Sequence, residues 1–429
     1  MPCPIPRTSA SLARWSTALR RRTLGLVADL CDDDLDCEKL TITNPFLWEL
    51  GHVGWFHERF LLRGNGEASR RADADELFDS MEVLHDRRWD LPLPKRSEVL
   101  AYLEDVHAAL HAQLDRGEPS AEALGLWQLC LFHEEMHAEA FLYMRQTLGY
   151  AVPEWLPPGP CTKSAAEPAE GDAVVPAGVY RIGAGRDDSF SFDNERWSHD
   201  VQLDEYRIAR RLVSQADFCA FVDDGGYRDE RLWTTEGRAL LQREHAGHPR
   251  DWRRTDGAWE RRAFERWVPL EPDHAVTGVS WHEAEAYCAW AGRRLPSEAE
   301  WEAAAAFDST GARRCFPWGD AAPDETRAVL DARGSGSCSV QSCAAGDSAL
   351  GLRQMIGNVW EWTASDFLPY DGFAPAQYLE YSEPWFGTRK VLRGGAWSTS
   401  SLLARNTHRN FFQPWRRDVP AGFRTCVRG

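Results

Sequence analysis

The chain has 429 residues, 43% of them apolar and 27% charged, with a formal charge of −17, which describes a soluble globular protein of two or more domains. The negative balance argues against nucleic acid or an anionic membrane surface as a partner, since both demand basic patches, and no apolar run approaches the roughly 18–20 residues of a membrane span. Eleven scattered cysteines without a CxxC pair fit a reducing, cytoplasmic setting.

The start, MPCPIPRTSASLARWSTALRRR, is basic but lacks the apolar core of a secretion signal and runs straight into periodic helix. In that first helix Leu12, Trp15, Leu19, Leu26 and Leu30 recur at helical spacing. A second begins at Asn44-Pro45, a capping residue followed by proline, and runs through FLWELGHVGWFHERFLL. A third, SEVLAYLEDVHAALHAQL, carries Val99, Leu103, Val106, Leu110 and Leu114 on one face, and a fourth runs through LGLWQLCLFHEEMHAEAFLYMRQTL. Four amphipathic helices of this length predict a bundle over residues 1–152, and bundles build metal sites from inward-pointing side chains. Proline, glycine and small polar residues then mark a linker over 153–175.

From 176 to 429 short strands, helices and long loops alternate as an α+β domain. Ser280-x-x-Glu283 and Ser297-x-x-Glu300 are capping boxes that open two helices. VYRIGA and KVLRGGAW read as strands. Most of the 20 tryptophans lie in this half, which suits a loop-rich core of large rings and pockets for cationic ligands.

FHEEMHAEAF at 132–141 is the stretch with the clearest chemistry. Residues four apart share a helix face, so His133 and His137 can address one ion. The HExxH protease reading needs a third ligand, but Ala140 and Tyr143 stand where the metzincin pattern has glycine and histidine. Upstream, His52 lies among Leu50, Val53 and Phe56 on or beside the apolar side of the second helix, with His57 nearer its polar side. Three imidazoles from His52, His133 and His137 are therefore expected to meet on one ion, with Glu139 outside the ligand set. Neutral ligands leave the ion its full charge and open positions for dioxygen or a soft anion. Zinc binds such ligands but exchanges no electrons, which favours Fe(2+).

These residues resemble the ergothioneine-type sulfoxide synthases and their relatives, the ovothiol-type and selenoneine synthases. LGH around His52 and HEEMHAE at 133–139 look like that family's three-histidine iron site on a DinB-like four-helix bundle. FDNERWSHDVQLDEYRIAR, VSWHEAEAYCAWAGRRLPSEAEWE, IGNVWEWTASDF, VLRGGAW and RNFFQPWRRDVPAGFR are similar to the formylglycine-generating-enzyme (sulfatase-modifying-factor) fold, a C-type-lectin-like domain. The resemblance implies an Fe(2+) enzyme with O2 as co-substrate, joining sulfur or selenium to C2 of the imidazole of hercynine, the trimethylated betaine of histidine. Formylglycine-generating activity is not implied, because the matching cysteine motif is missing around Cys315 and Cys426.

The resemblance also implies site residues. Asn410 matches the asparagine that contacts the betaine, Phe411 lies beside it, and Phe412 and Arg416 add a ring and a cation in the same segment. A trimethylammonium group makes no conventional hydrogen bonds and is held by ring faces. A family tyrosine handles protons, with Tyr378 and Tyr381 as candidates, and the Arg87-Arg88 pair offers Arg88 to the donor's charge. Members that use γ-glutamylcysteine carry an acidic residue where this chain has Phe412, and glutamine where it has Met136. An ammonium unpaired against Phe412 would be costly, so a selenosugar donor is favoured. Cysteine or γ-glutamylcysteine remains the alternative, as does a non-catalytic betaine- or sugar-binding protein with a structural metal. Oligomeric state has no sequence signal.

Overall fold

The computed structural model describes residues 5–157, 167–186, 188, 190–308 and 311–429, and the chain divides into two compact units, Ile5–Trp155 and Leu156–Gly429. Among the described residues no helix is long and apolar enough to cross a membrane.

The first unit holds α1 (Ser9–Gly25), α2 (Asp32–Asp36), α3 (Phe46–His57), α4 (Ala74–Phe78), α5 (Arg96–Leu114) and α6 (Ala121–Leu148). Thr8 and Ser120 cap α1 and α6 through their hydroxyls, and Gly149 ends α6 in the left-handed region (φ 71°), where glycine carries no Cβ penalty. The four long helices are those expected from periodicity. The second stops being α-helical at His57, and Glu58–Leu62 continue as a π turn.

Helix α3 is central, packed by α4, α5 and α6. It has no polar side, since every residue in it except Leu47 is buried. His57 therefore does not lie towards solvent as its position suggested. It is 1% exposed and donates Nε2–H to the Cys130 carbonyl of α6 at 2.9 Å. Gly51 and Gly54 let neighbours come close. A Cβ on Gly51 would lie 2.1 Å from the Phe78 ring, and one on Gly54 2.8 Å from Leu103.

The second unit contains helices α7 (Gln215–Asp223), α8 (Thr235–Glu244), α9 (Trp281–Trp290) and α10 (Glu298–Ala306). Ser280 and Ser297 cap α9 and α10 with the reciprocal glutamates of the expected boxes. Strands β1 (Asp172–Val175), β4 (Tyr206–Ala209), β13 (Cys426–Val427) and β8 (Arg293–Arg294) form one sheet in that order. A second runs β11 (Asn410–Phe412), β10 (Lys390–Arg393), β9 (Trp360–Asp366), β12 (Ala421–Gly422). β2 (Gly178–Ile182) pairs with β3 (His199–Leu203), and β5 (Trp252–Thr255), β6 (Ala258–Ala263) and β7 (Arg266–Pro269) form a small antiparallel sheet. Strand β1 falls inside the stretch expected as linker. Ala173 and Val175 turn into the core beside Ile208 and Trp301, so a short alternating run between Gly171 and Pro176 is enough for a strand. Residues 158–166 of that stretch lie outside the described residues.

Buried arginine–glutamate pairs bind the end of this unit to its earlier elements: Arg393–Glu302, Arg405–Glu195, Arg417–Glu283 and Arg424–Glu361, and buried Arg409 pairs with half-buried Glu298. Charges at this depth persist only when paired and hydrogen-bonded, and removing one partner costs about 3–5 kcal/mol. At Glu195, burial opposes the charge, but Arg405 and hydrogen bonds from Arg405 and Thr407 outweigh it and hold the carboxyl at about 2, against an ordinary 4.5. A depressed folded-state pKa gives stability that is complete above the unfolded value and is lost as pH falls through the folded one. Denaturation of wild type and Glu195→Gln should therefore show a stability gap that is full above pH 4.5 and narrows towards pH 2. A gap independent of pH would contradict this account.

Candidate metal centre

His52 comes from α3 and His133 and His137 from adjacent turns of α6, so two helices of one bundle supply the cluster. One nitrogen from each ring lies within 4.8 Å of the other two. The Nε2 atom of His133 is 3.3 Å from that of His52 and 3.1 Å from that of His137. Nitrogens bound at about 2.1 Å to one ion at right angles sit about 3 Å apart, so the spacing fits adjacent corners of a coordination sphere.

Hydrogen bonds on the far side of two rings aim these nitrogens. His52 donates Nδ1–H to the Phe78 carbonyl at 2.8 Å, and His137 donates Nδ1–H to Glu49 Oε1 at 2.5 Å. A carbonyl or carboxylate oxygen accepts only, so these bonds hold a proton on Nδ1 and leave Nε2 as the nitrogen that can face an ion with its lone pair. The His133 ring stacks on Phe56 (centroids 3.6 Å apart, 7° between planes), and His52 stacks on Trp48 (5.0 Å, 8°). Burial, and then the neighbouring His137, push His52 down to about 3, and the same causes take His133 well below its ordinary value. Burial works against ionised Glu49, but the charge and hydrogen bond of His137 hold its carboxyl at about 2. Near neutral pH His52 and His133 are therefore unprotonated at the nitrogens facing the cluster, the form in which imidazole binds metal.

Glu134, the base of the rejected HExxH reading, is a strut. Arg20 donates to both of its oxygens at 3.0 and 3.1 Å, and Thr23 to one at 2.8 Å, tying α1 to α6. Glu139 is buried and outside the cluster. Arg88 stacks on Trp48 at 3.8 Å and donates to Asn44 Oδ1 at 2.6 Å, while Arg87 is exposed. Sequence reasoning missed Glu49 and Asn44. Glu49 had a signal, because it stands three residues before His52 and so on the same side of α3.

The remaining candidates lie in the second unit. Tyr378, Tyr381 and Phe411 form a row, with ring centroids 5.9 and 5.8 Å apart, and Phe411 stacks on Phe367 at 4.0 Å. Tyr381 also stacks on Phe192, and burial raises its hydroxyl pKa well above the ordinary value, so it stays protonated near neutral pH. Strand alternation on β11 directs Asn410 and Phe412 to one face and Phe411 to the other. The Asn410 Oδ1 atom accepts the Phe411 N–H at 2.8 Å. Arg416 lies over the Phe412 ring and donates to Asp418 at 2.6 Å.

Residues 17–141 match the DinB superfamily, and residues 159–428 match the sulfatase-modifying factor enzyme 1-like domain. The chain is 37% identical over 431 aligned positions to a hercynine oxygenase of Mycolicibacterium thermoresistibile, covering 97% of this chain and 94% of that protein. It is also 37% identical over 417 positions to the hercynine oxygenase of Mycobacterium tuberculosis, covering 94% and 96%. The chain belongs to this ergothioneine-type family. A formylglycine-generating enzyme of Thermomonospora curvata is 31% identical over 268 positions, 54% of this chain and 84% of that protein. The family pairs a DinB-type bundle with a sulfatase-modifying-factor-like domain, the architecture expected from the sequence.

Gly51 sits beside His52, and the ring it touches belongs to Phe78, whose carbonyl holds the His52 ring. Gly51→Ala should push Phe78 aside and lower stability by about 1–3 kcal/mol, the usual cost of overpacking a rigid core. Chemical denaturation measures this, and a stability equal to wild type would show that Phe78 is not fixed.

Proposed function

We propose that the chain is a non-heme iron(II), O2-dependent enzyme that forms a carbon–chalcogen bond at imidazole C2 of hercynine, with a selenosugar as donor. The observation that carries the reading is the convergence of three imidazoles on one point, two of them buried and His137 half-buried, with nitrogens 3.1 and 3.3 Å apart. The names of the 37%-identical relatives supply the substrate and the oxidative character. Bound at His52, His133 and His137, iron(II) supplies the one-electron reduction of dioxygen that zinc cannot.

The protein's own groups do the rest. In this reading the Asn410 amide meets the betaine, a ring face such as that of Phe411 receives its trimethylammonium group, and Phe412 borders the donor. Tyr381, protonated near neutral pH, is the proton donor, with Tyr378 as its neighbour and alternative. Arg88 serves the donor's polar end and Arg416 adds positive charge beside Phe412. The missing acid at 412 supports a donor without an ammonium group, since that charge would be left unpaired. The hercynine oxygenase relatives favour, as the second reading, a sulfur donor and a C–S bond.

Reconstitution with iron(II), followed by hercynine with a selenosugar, a thiosugar, cysteine or γ-glutamylcysteine in turn, tests both readings through product masses. The expected product contains selenium and arises from the selenosugar. Turnover with γ-glutamylcysteine alone would overturn the donor assignment. His52→Ala should abolish iron-dependent oxygen uptake. A wild-type protein that binds hercynine but takes up no oxygen would be a binding module instead.

A further inference from the structure

A chain of hydrogen bonds leads from the histidine cluster to residues outside it. The Glu49 carboxylate, 2% exposed, has both oxygens engaged: Oε1 by His137 Nδ1–H at 2.5 Å and Oε2 by the Asn44 amide at 2.8 Å. Asn44 in turn accepts from Arg88 Nη1 at 2.6 Å, and Arg88 Nη2 reaches the Ser80 and Val83 carbonyls at 3.4 Å. The Arg88 guanidinium lies 3.8 Å from the Trp48 ring, and Trp48 stacks on His52. One guanidinium thus connects to two of the three histidines, to His137 through hydrogen bonds and to His52 through a stacked ring.

We infer that Glu49, held by Asn44 and Arg88, is a positioning residue that fixes the His137 ring and strengthens its Nε2 as a metal donor. The inference rests on the metal reading of His52, His133 and His137. Three features separate this arrangement from general packing. Glu49 lies one turn before His52 on α3, so the helix that delivers one ligand also delivers the carboxylate that orients another. The carboxylate takes the only polar position on the His137 ring that faces away from the cluster. Asn44 occupies its other oxygen, which leaves Glu49 unable to swing towards the ion and replace a histidine. A carboxylate behind a metal-bound imidazole sets ring orientation and basicity, and losing it typically weakens metal binding by about 10–100-fold.

The test uses the full-length protein with iron(II) alone and cobalt(II) alone as probes. Iron(II) affinity is measured by competition with a chelator, the cobalt(II) ligand-field band by absorption, and the metal-free fold by circular dichroism and melting. Glu49→Ala is expected to weaken iron(II) by about 10–100-fold and to shift the cobalt band. Glu49→Gln keeps an acceptor for the Nδ1–H but no charge, so its loss should be smaller. Asn44→Ala frees one carboxylate oxygen and should weaken binding several-fold with the metal-free melting temperature little changed. If Glu49→Ala fails to fold, Asn44→Ala with the cobalt band carries the test. Wild-type affinity and an unmoved band in these variants would overturn the inference while leaving the three-histidine site intact. A wild-type protein that binds neither ion would overturn the metal reading and this inference with it.

Discussion

The interior of a helical bundle is a poor place for three imidazoles to touch. Packed nitrogen to nitrogen at 3.1 and 3.3 Å, with His52 and His133 buried, they cannot all be protonated, and their lone pairs repel unless something positive sits between them. Every neighbouring residue respects that constraint. Carbonyl and carboxylate oxygens occupy the outer nitrogens of His52 and His137, and aromatic planes clamp His52 and His133. The low polarity of the site keeps His52 and His133 neutral, which is the state a metal requires. A bundle that placed these rings only for packing would gain more from leucine, which has no desolvation cost.

The second unit solves a different problem by related means. It has little regular structure to hold long loops in place, and it uses buried arginines instead. Arg405 reaches back to Glu195, and Arg424 to Glu361. Such pairs contribute less net stability than a well-packed apolar core would, but they tolerate few alternative arrangements, because a mispaired buried charge is so unfavourable. A loop-rich domain gains definition from that penalty, and β11, which carries Asn410 and Phe411, is fixed between Arg409 on one side and the Arg416–Asp418 pair on the other.

Much of this was legible in the sequence where the signal is local. Spacing alone brings His133 and His137 onto one helix face, capping residues mark α6, α9 and α10, and apolar periodicity finds the long helices. Contacts between distant segments were not legible. The pattern around His57 predicts a polar face on α3, whereas neighbours bury every residue of that helix except Leu47. The Asp172–Val175 strand was hidden in a stretch rich in small residues, since its partner lies more than thirty residues onward at Tyr206–Ala209. The i, i+3 spacing to His52 places Glu49 on the side of α3 that carries the histidine, but nothing in FLWELGH says that its carboxylate meets a ring 88 residues away. The family resemblance implies the fold, but outer contacts of this kind depend on the end of α4 and the loop after it, which supply Phe78, Ser80 and Val83.

Phe412 limits the charge that can lie beside it. A charged group brought beside a ring without a counterion loses hydration that the ring only partly replaces, while a neutral sugar hydroxyl loses far less. Arg416 does not alter this balance in favour of an ammonium, since its own positive charge sits over the Phe412 ring and is matched by Asp418. An incoming ammonium would meet a cation already stacked on that face. The face of β11 that carries Phe412 is thus better suited to uncharged or anionic chemistry than to an amino group, which is the ground on which a sugar-borne chalcogen is proposed.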